Sequence, residues 1–141
     1  MYGRSQGKPL RARPARLMAE LLPKLSVSAE TAAETIAKHE GEVWFEVGFG
    51  GGEHLAWQAA QNPDALIIGA EPFLNGVAKL LGQVEDQSLP NVRVCHGDAK
   101  PVLAALPDAS LSKLFVLHPD PWPKVRHHKR RMISAPFLHH A

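Results

Sequence analysis

Four short apolar runs decide what this chain can fold into. Residues 43–47, 65–70, 92–96 and 113–117 are near-continuous in apolar character, and each is too short for an ordinary helix. Strands of that kind need cover on both faces. Stretches of helical composition supply it at 53–61, at 73–85 and at about 101–106. Strand and helix in alternation predict an α/β fold, a parallel sheet with helices on both sides. Ahead of it, helical patterning begins near Ala15 with Leu17-Met18 and Leu21-Leu22 and is limited by Pro23. A second helix is expected over 28–39, with Ser28 as its cap and Gly41 as its stop. Gly3, Gly7, Pro9 and Pro14 interrupt residues 1–16, which read as a flexible segment. The chain divides into a basic arm with helices, residues 1–40, and a sheet domain, residues 41–141.

Open sheets of this class bind ligands beyond the carboxyl ends of their strands. The first strand runs into Glu46-Val47-Gly48-Phe49-Gly50-Gly51-Gly52-Glu53, where Gly48 and Gly50 let the backbone approach a ligand at a helix N-terminus. A dinucleotide fingerprint counted from Gly48 needs glycine at position 53, and the carboxylate of Glu53 would meet a pyrophosphate badly. A ligand with a cationic amino-acid end suits nearby Glu46 better. That favours S-adenosylmethionine over NAD and argues against a nucleotide-dependent oxidoreductase. Glu71 ends the second strand, where a carboxylate can accept from both ribose hydroxyls. Asp98 follows the third strand and can accept from an adenine amino group, while the Ala99 N–H can serve a ring nitrogen. Each acid alone reads as well as a surface or capping residue. Three at successive strand ends, on one edge, read as a site.

The fourth strand leads into Pro119-Asp120-Pro121-Trp122-Pro123-Lys124. Prolines at alternate positions hold this stretch extended. Side chains two apart then share a side, so Asp120, Trp122 and Lys124 can line one wall. A proline-rich turn with a packing tryptophan explains the prolines equally well, but not the cations that follow. Net charge is only +2, yet it is unevenly spread. Residues 1–19 and 121–141 contain arginines and lysines and no acid, and all carboxylates lie between Glu20 and Asp120. Basic ends around an acidic centre suit a polyanion held at the edge of a site that binds something else.

Several classes drop out. A single cysteine, Cys95, excludes an internal disulfide framework and reads as a small buried residue. No apolar run reaches membrane-spanning length, so no membrane partner is expected. The arginine-rich, acid-poor start resembles an organelle transit peptide, but an RNA-contacting arm explains it as well, and a cytoplasmic location is the default. His127-His128 and His139-His140 lack Cys or Asp partners at ligand spacing, so no metal site is expected.

Glu46–Glu53, Glu71, Asp98-Ala99 and the Pro-Asp-Pro-Trp-Pro-Lys block with Arg126-His127-His128-Lys129-Arg130-Arg131 resemble the bacterial tRNA (guanine-N7-)-methyltransferase family, from about residue 41 to about residue 138. The last block is highly specific; the glycine turn would match many methyltransferases. The resemblance implies a Rossmann-like class I fold and S-adenosylmethionine-dependent methylation of a guanine in the tRNA variable loop. Glu46, Gly48, Gly50, Glu71, Asp98, Ala99 and Asp120 then fall on cofactor-contacting positions. Asp120 is also the catalytic position, Lys124 a substrate-binding one, and Arg126, His127, His128, Lys129, Arg130 and Arg131 an RNA-binding segment. In such a site Asp120 can accept from the N1–H and 2-amino edge of guanine, and Trp122 holds the loop.

A complete fold of that class has about seven strands, and about four are legible here. The expected molecule is therefore an incomplete sheet, truncated at its C-terminal side, with weak or no turnover of its own. Its fourth strand is expected to leave an unpaired apolar edge, through which copies could self-associate.

Overall fold

A computed structural model describes residues 10–116 of the protein and the backbone of residues 124–126. The elements run α1 (Ala12–Glu20), α2 (Leu22–Leu25), α3 (Ala32–Ala37), β1 (Val43–Val47), α4 (Glu53–Gln61), β2 (Leu66–Glu71), α5 (Leu74–Gln87), β3 (Val92–His96), α6 (Ala99–Ala105), β4 (Lys113–Val116) and β5 (Lys124–Arg126). Strand order is β3-β2-β1-β4-β5. The first four strands are parallel, with Phe45 of β1 opposite Ile68 on one side and Leu114 on the other. The chain steps outward from β1 to β3, then returns to the other flank of β1 with β4. That reversal makes β1/β4 a topological switch point.

Successive strand residues face opposite sides, and both sides are apolar. Phe45, Ile68 and Leu114 pack with Val27, Ala32, Val102 and Leu103 beneath one face. Trp44, Ile67 and Phe115 pack with Leu17, Leu55, Leu80 and Leu81 on the other. Gly69 of β2 marks where a helix comes closest: a Cβ there would overlap Leu55 of α4 and stand 2.7 Å from the ring of Phe49.

Three expectations need correction. β4 does not present an open edge along Leu114–Val116, because β5 returns antiparallel and pairs with those residues. The four parallel strands expected are present, with β5 added beside them as an antiparallel fifth. The helix expected from Ser28 begins four residues later: Ser28 is committed to a turn, its carbonyl accepting from Thr31 and Ala32 and its N–H donating to the Thr31 hydroxyl at 3.0 Å. Of residues 1–16, read as flexible, residues 1–9 lie outside the described ones, and the stretch from Ala12 onward is helical. Leu17 is buried against the sheet-covering helices, and Arg13 pairs with Glu85 and Asp86 of α5 at 2.7 and 2.8 Å. Arg16 reaches Glu85 at 3.2 Å, so both guanidinium groups have carboxylate partners within the chain. At the outer edge of the sheet, the Val27 N–H donates to the carbonyl of Val94 on β3.

Candidate functional site

The chain leaves β1 through a turn that only glycine accommodates readily. Gly48, Gly50 and Gly52 have φ of 71°, 62° and 84°, in the left-handed region. The N–H groups of Gly48 and Phe49 both donate to the Ala70 carbonyl, at 2.8 and 3.3 Å, tying the turn to the end of β2. At Gly52 a Cβ would also stand 2.7 Å from Leu80, so this glycine is needed for packing as well as for φ. On α5, a Cβ at Gly76 would overlap the carbonyl of Gly50. The helix can close on the turn only because no side chain is there.

Glu71 braces this loop. Its side chain is buried, one oxygen accepting from the Gly50 N–H at 2.7 Å and the other from the Phe73 N–H at 3.1 Å. Each carboxylate oxygen can accept a second hydrogen bond, so the group can hold the turn and still receive a ligand's hydroxyls. Asp98 caps α6, its Oδ1 accepting from the Lys100 N–H at 3.0 Å, and is exposed; Ala99 behind it is buried. Gly48, Asp98 and Ala99 line one pocket of about 270 Å³, with Val47, Ala70, Pro72 and Gly97 completing its wall. The ends of β1, β2 and β3 thus converge where the topology places a ligand. A larger pocket of about 390 Å³ lies at the other end of the sheet, between Glu42 and Asp64 at the strand starts, and receives none of the expected site residues.

Glu46 sits beneath the turn, wholly buried on β1. Its Oε1 accepts from Nδ1 of His54 at 2.7 Å, and Oε2 has no partner among the described residues. Burial pushes the Glu46 carboxyl above its usual range, against the lowering effect of the histidine. The hydrogen bond to Glu46 raises the His54 pKa, with burial opposing it. The imidazole also packs edge-on to Phe115 of β4, centroids 5.1 Å apart. Nothing in the residue spacing singles out His54, because the pair forms only when the turn folds α4 back over β1. Glu53, exposed at the N-terminus of α4, lies 3.7 Å from Lys79 and places a negative charge where a helix would otherwise receive a phosphate.

Asp120, Trp122, His127, His128, Lys129, Arg130, Arg131, His139 and His140 lie outside the described residues, as do the side chains of Lys124 and Arg126. Among the described residues no group of three or more His, Cys, Asp or Glu could hold a metal ion.

A parallel sheet reversing at β1/β4, a left-handed glycine turn after β1 and acids at three successive strand ends define a Rossmann-like fold of the methyltransferase class. The chain belongs to the family described as putative methyltransferases, whose model matches residues 40–141. It is 48% identical over 138 residues to a tRNA (guanine-N(7)-)-methyltransferase of Caulobacter sp. (strain K31), covering 97% of this chain and 61% of that protein. A protein of the same name from Novosphingobium aromaticivorans is 52% identical over 141 residues, covering 95% of this chain and 59% of its own length. The chain thus spans about three-fifths of the length of these curated relatives. Among solved structures, a 16S rRNA methyltransferase, KamB, superposes with a TM-score of 0.50 at 25% identity, covering 63% of this chain and 41% of that one. A tryptophan-to-alanine mutant of a 16S rRNA (adenine(1408)-N(1))-methyltransferase from Catenulisporales acidiphilia superposes with a TM-score of 0.52 at 22% identity, covering 70% of this chain and 48% of that one. That second likeness concerns the fold alone.

Proposed function

We propose that this chain carries the cofactor-binding part of an S-adenosylmethionine-dependent methyltransferase that acts on guanine N7 in the variable loop of tRNA. The observation that carries this reading is the near-50% identity to relatives of that name over almost the whole chain. The convergence of Glu46, Glu71 and Asp98 on one sheet edge supports it. The residues fit the cofactor: a buried carboxylate oxygen that can accept from an ammonium, a braced carboxylate for ribose hydroxyls, and Asp98 with the Ala99 N–H for adenine. Residues 41–141 form the first part of that domain, and residues 1–40 its arm and leading helices.

Bound S-adenosylmethionine supplies an electrophilic methyl group on a sulfonium. Guanine N7 offers a lone pair and carries no proton, so the protein needs no general base for the transfer. What its residues must supply is alignment, which alone can be worth several kcal/mol of barrier. Asp120 fixes the guanine edge, Lys124 holds O6 or a phosphate, and the cations from Arg126 to Arg131 grip the RNA backbone. No helix among the described residues is long and apolar enough to cross a membrane; a cytoplasmic location is part of this proposal and follows from the proposed tRNA substrate.

Titration calorimetry with S-adenosylhomocysteine tests the cofactor half, with saturable one-to-one binding expected. Nucleoside mass spectrometry of unmodified tRNA incubated with the chain and S-adenosylmethionine tests the substrate half by looking for 7-methylguanosine. Absence of cofactor binding would overturn the reading. Binding without product points instead to a non-catalytic cofactor- or RNA-binding module.

A further inference from the structure

Glu46 and His54 form a buried pair that the glycine turn and strand-end acids do not account for. Glu46 is wholly buried, and one of its oxygens has no donor among the described residues. An unpaired buried carboxylate oxygen is costly. Lying two residues before the glycine turn, that oxygen can accept from a ligand group that enters there. The other oxygen is fixed by His54, whose own orientation is set twice. Its Nδ1 donates to Glu46, while Nε2 accepts from the Gln58 side-chain amide at 3.3 Å. Gln58 is oriented in turn by Asn62, which donates to its Oε1 at 3.4 Å. The ring stands against Phe115. A relay along α4 therefore holds one carboxylate in a single pose.

We propose that His54 is a positioning residue for ligand recognition: by tying Oε1 of Glu46 it presents Oε2 to the ammonium of the cofactor's amino-acid end. This rests on the S-adenosylmethionine reading and assigns His54 a role that neither its spacing nor the glycine turn indicates. His54 acts through Glu46, and loss of its donor frees the carboxylate to rotate away. It need not touch the ligand.

The test separates the two ends of the ligand. S-adenosylhomocysteine carries the ammonium; 5′-methylthioadenosine has the same nucleoside and lacks it. His54→Phe keeps an aromatic ring against Phe115 and removes the donor, and His54→Asn restores an N–H near the Nδ1 position. Calorimetry on the 141-residue chain should show His54→Phe weakening S-adenosylhomocysteine by about tenfold or more, as expected for losing a hydrogen bond to a charged group. Methylthioadenosine should change less than about twofold, and His54→Asn should recover most of the loss. In a Glu46→Gln background His54→Phe should have almost no further effect, because the two act as one unit. If His54→Phe alone proves unstable by circular dichroism, His54→Leu, which also removes the donor, replaces it in both comparisons. Equal weakening of both ligands, or additive losses in the double variant, would overturn the proposal. A wild-type chain that binds neither ligand sinks the cofactor reading itself, and the proposal with it.

Discussion

At the scale of single residues, the Glu46–His54 pair makes a prediction about pH. Glu46 has its pKa raised above the usual 4.5 by burial, and His54 has its own raised above 6.5 by its bond to Glu46. A group whose pKa is higher in the folded state binds more protons there than in the unfolded chain. By linkage, stability then falls as pH rises through the interval between the two values. Both members have this sign, so their contribution is full in mild acid and declines from about pH 4.5 to beyond pH 6.5. Urea unfolding across that range should show a downward slope in the wild type that is flatter in Glu46→Gln. The exposed pair Arg13–Glu85 has the opposite sign on its acid, lowered chiefly by Arg13, and acts below this window. An identical slope in Glu46→Gln would place the linkage elsewhere.

At the scale of elements, two glycines on the same helix should respond in opposite ways. Gly76 sits where α5 meets the turn, and a Cβ there would overlap the Gly50 carbonyl. At Gly82, further along the same helix, a Cβ would meet nothing within 4 Å. Gly82→Ala should therefore raise stability by about 0.5–1 kcal/mol through helix propensity alone. Gly76→Ala should lower it by about 1–3 kcal/mol as the helix is pushed off the turn, and should weaken S-adenosylhomocysteine as well. Thermal melts with calorimetry read both. These contrasts also show what the sequence made legible. β1, α4 and β3 begin and end where expected because each is bounded by a glycine or a polar break next to a clear apolar run. α3 starts late because Ser28 uses its hydrogen-bonding groups on a turn, an outcome that composition does not distinguish from a cap. Glu71 and Asp98 are visible in the sequence as acids at strand ends. Their second duties, bracing Gly50 and capping α6, depend on contacts made only in three dimensions. His54 stays hidden for the same reason. β5 does too, since its pairing with β4 is set by where the intervening chain returns.

At the scale of the whole molecule, residues ahead of the sheet belong to the same packed body. Leu17 of α1 enters the core cluster that covers one sheet face, while the arginines beside it make exposed ion pairs with α5. Burial should dominate, because exposed pairs contribute little against solvent screening. Leu17→Ala should cost about 2–5 kcal/mol, and Arg13→Ala far less, in paired denaturant titrations. A larger loss from Arg13→Ala would show that charge, not packing, seats the helix. The strand order has a further consequence, measured in time. β1 finds β2 soon after synthesis, but its other flank waits for Lys113–Val116, roughly seventy residues later. At about 5–20 residues per second on the ribosome, the central strand of the nascent chain stands with the backbone N–H and C=O groups of one edge unpaired for roughly four to fourteen seconds.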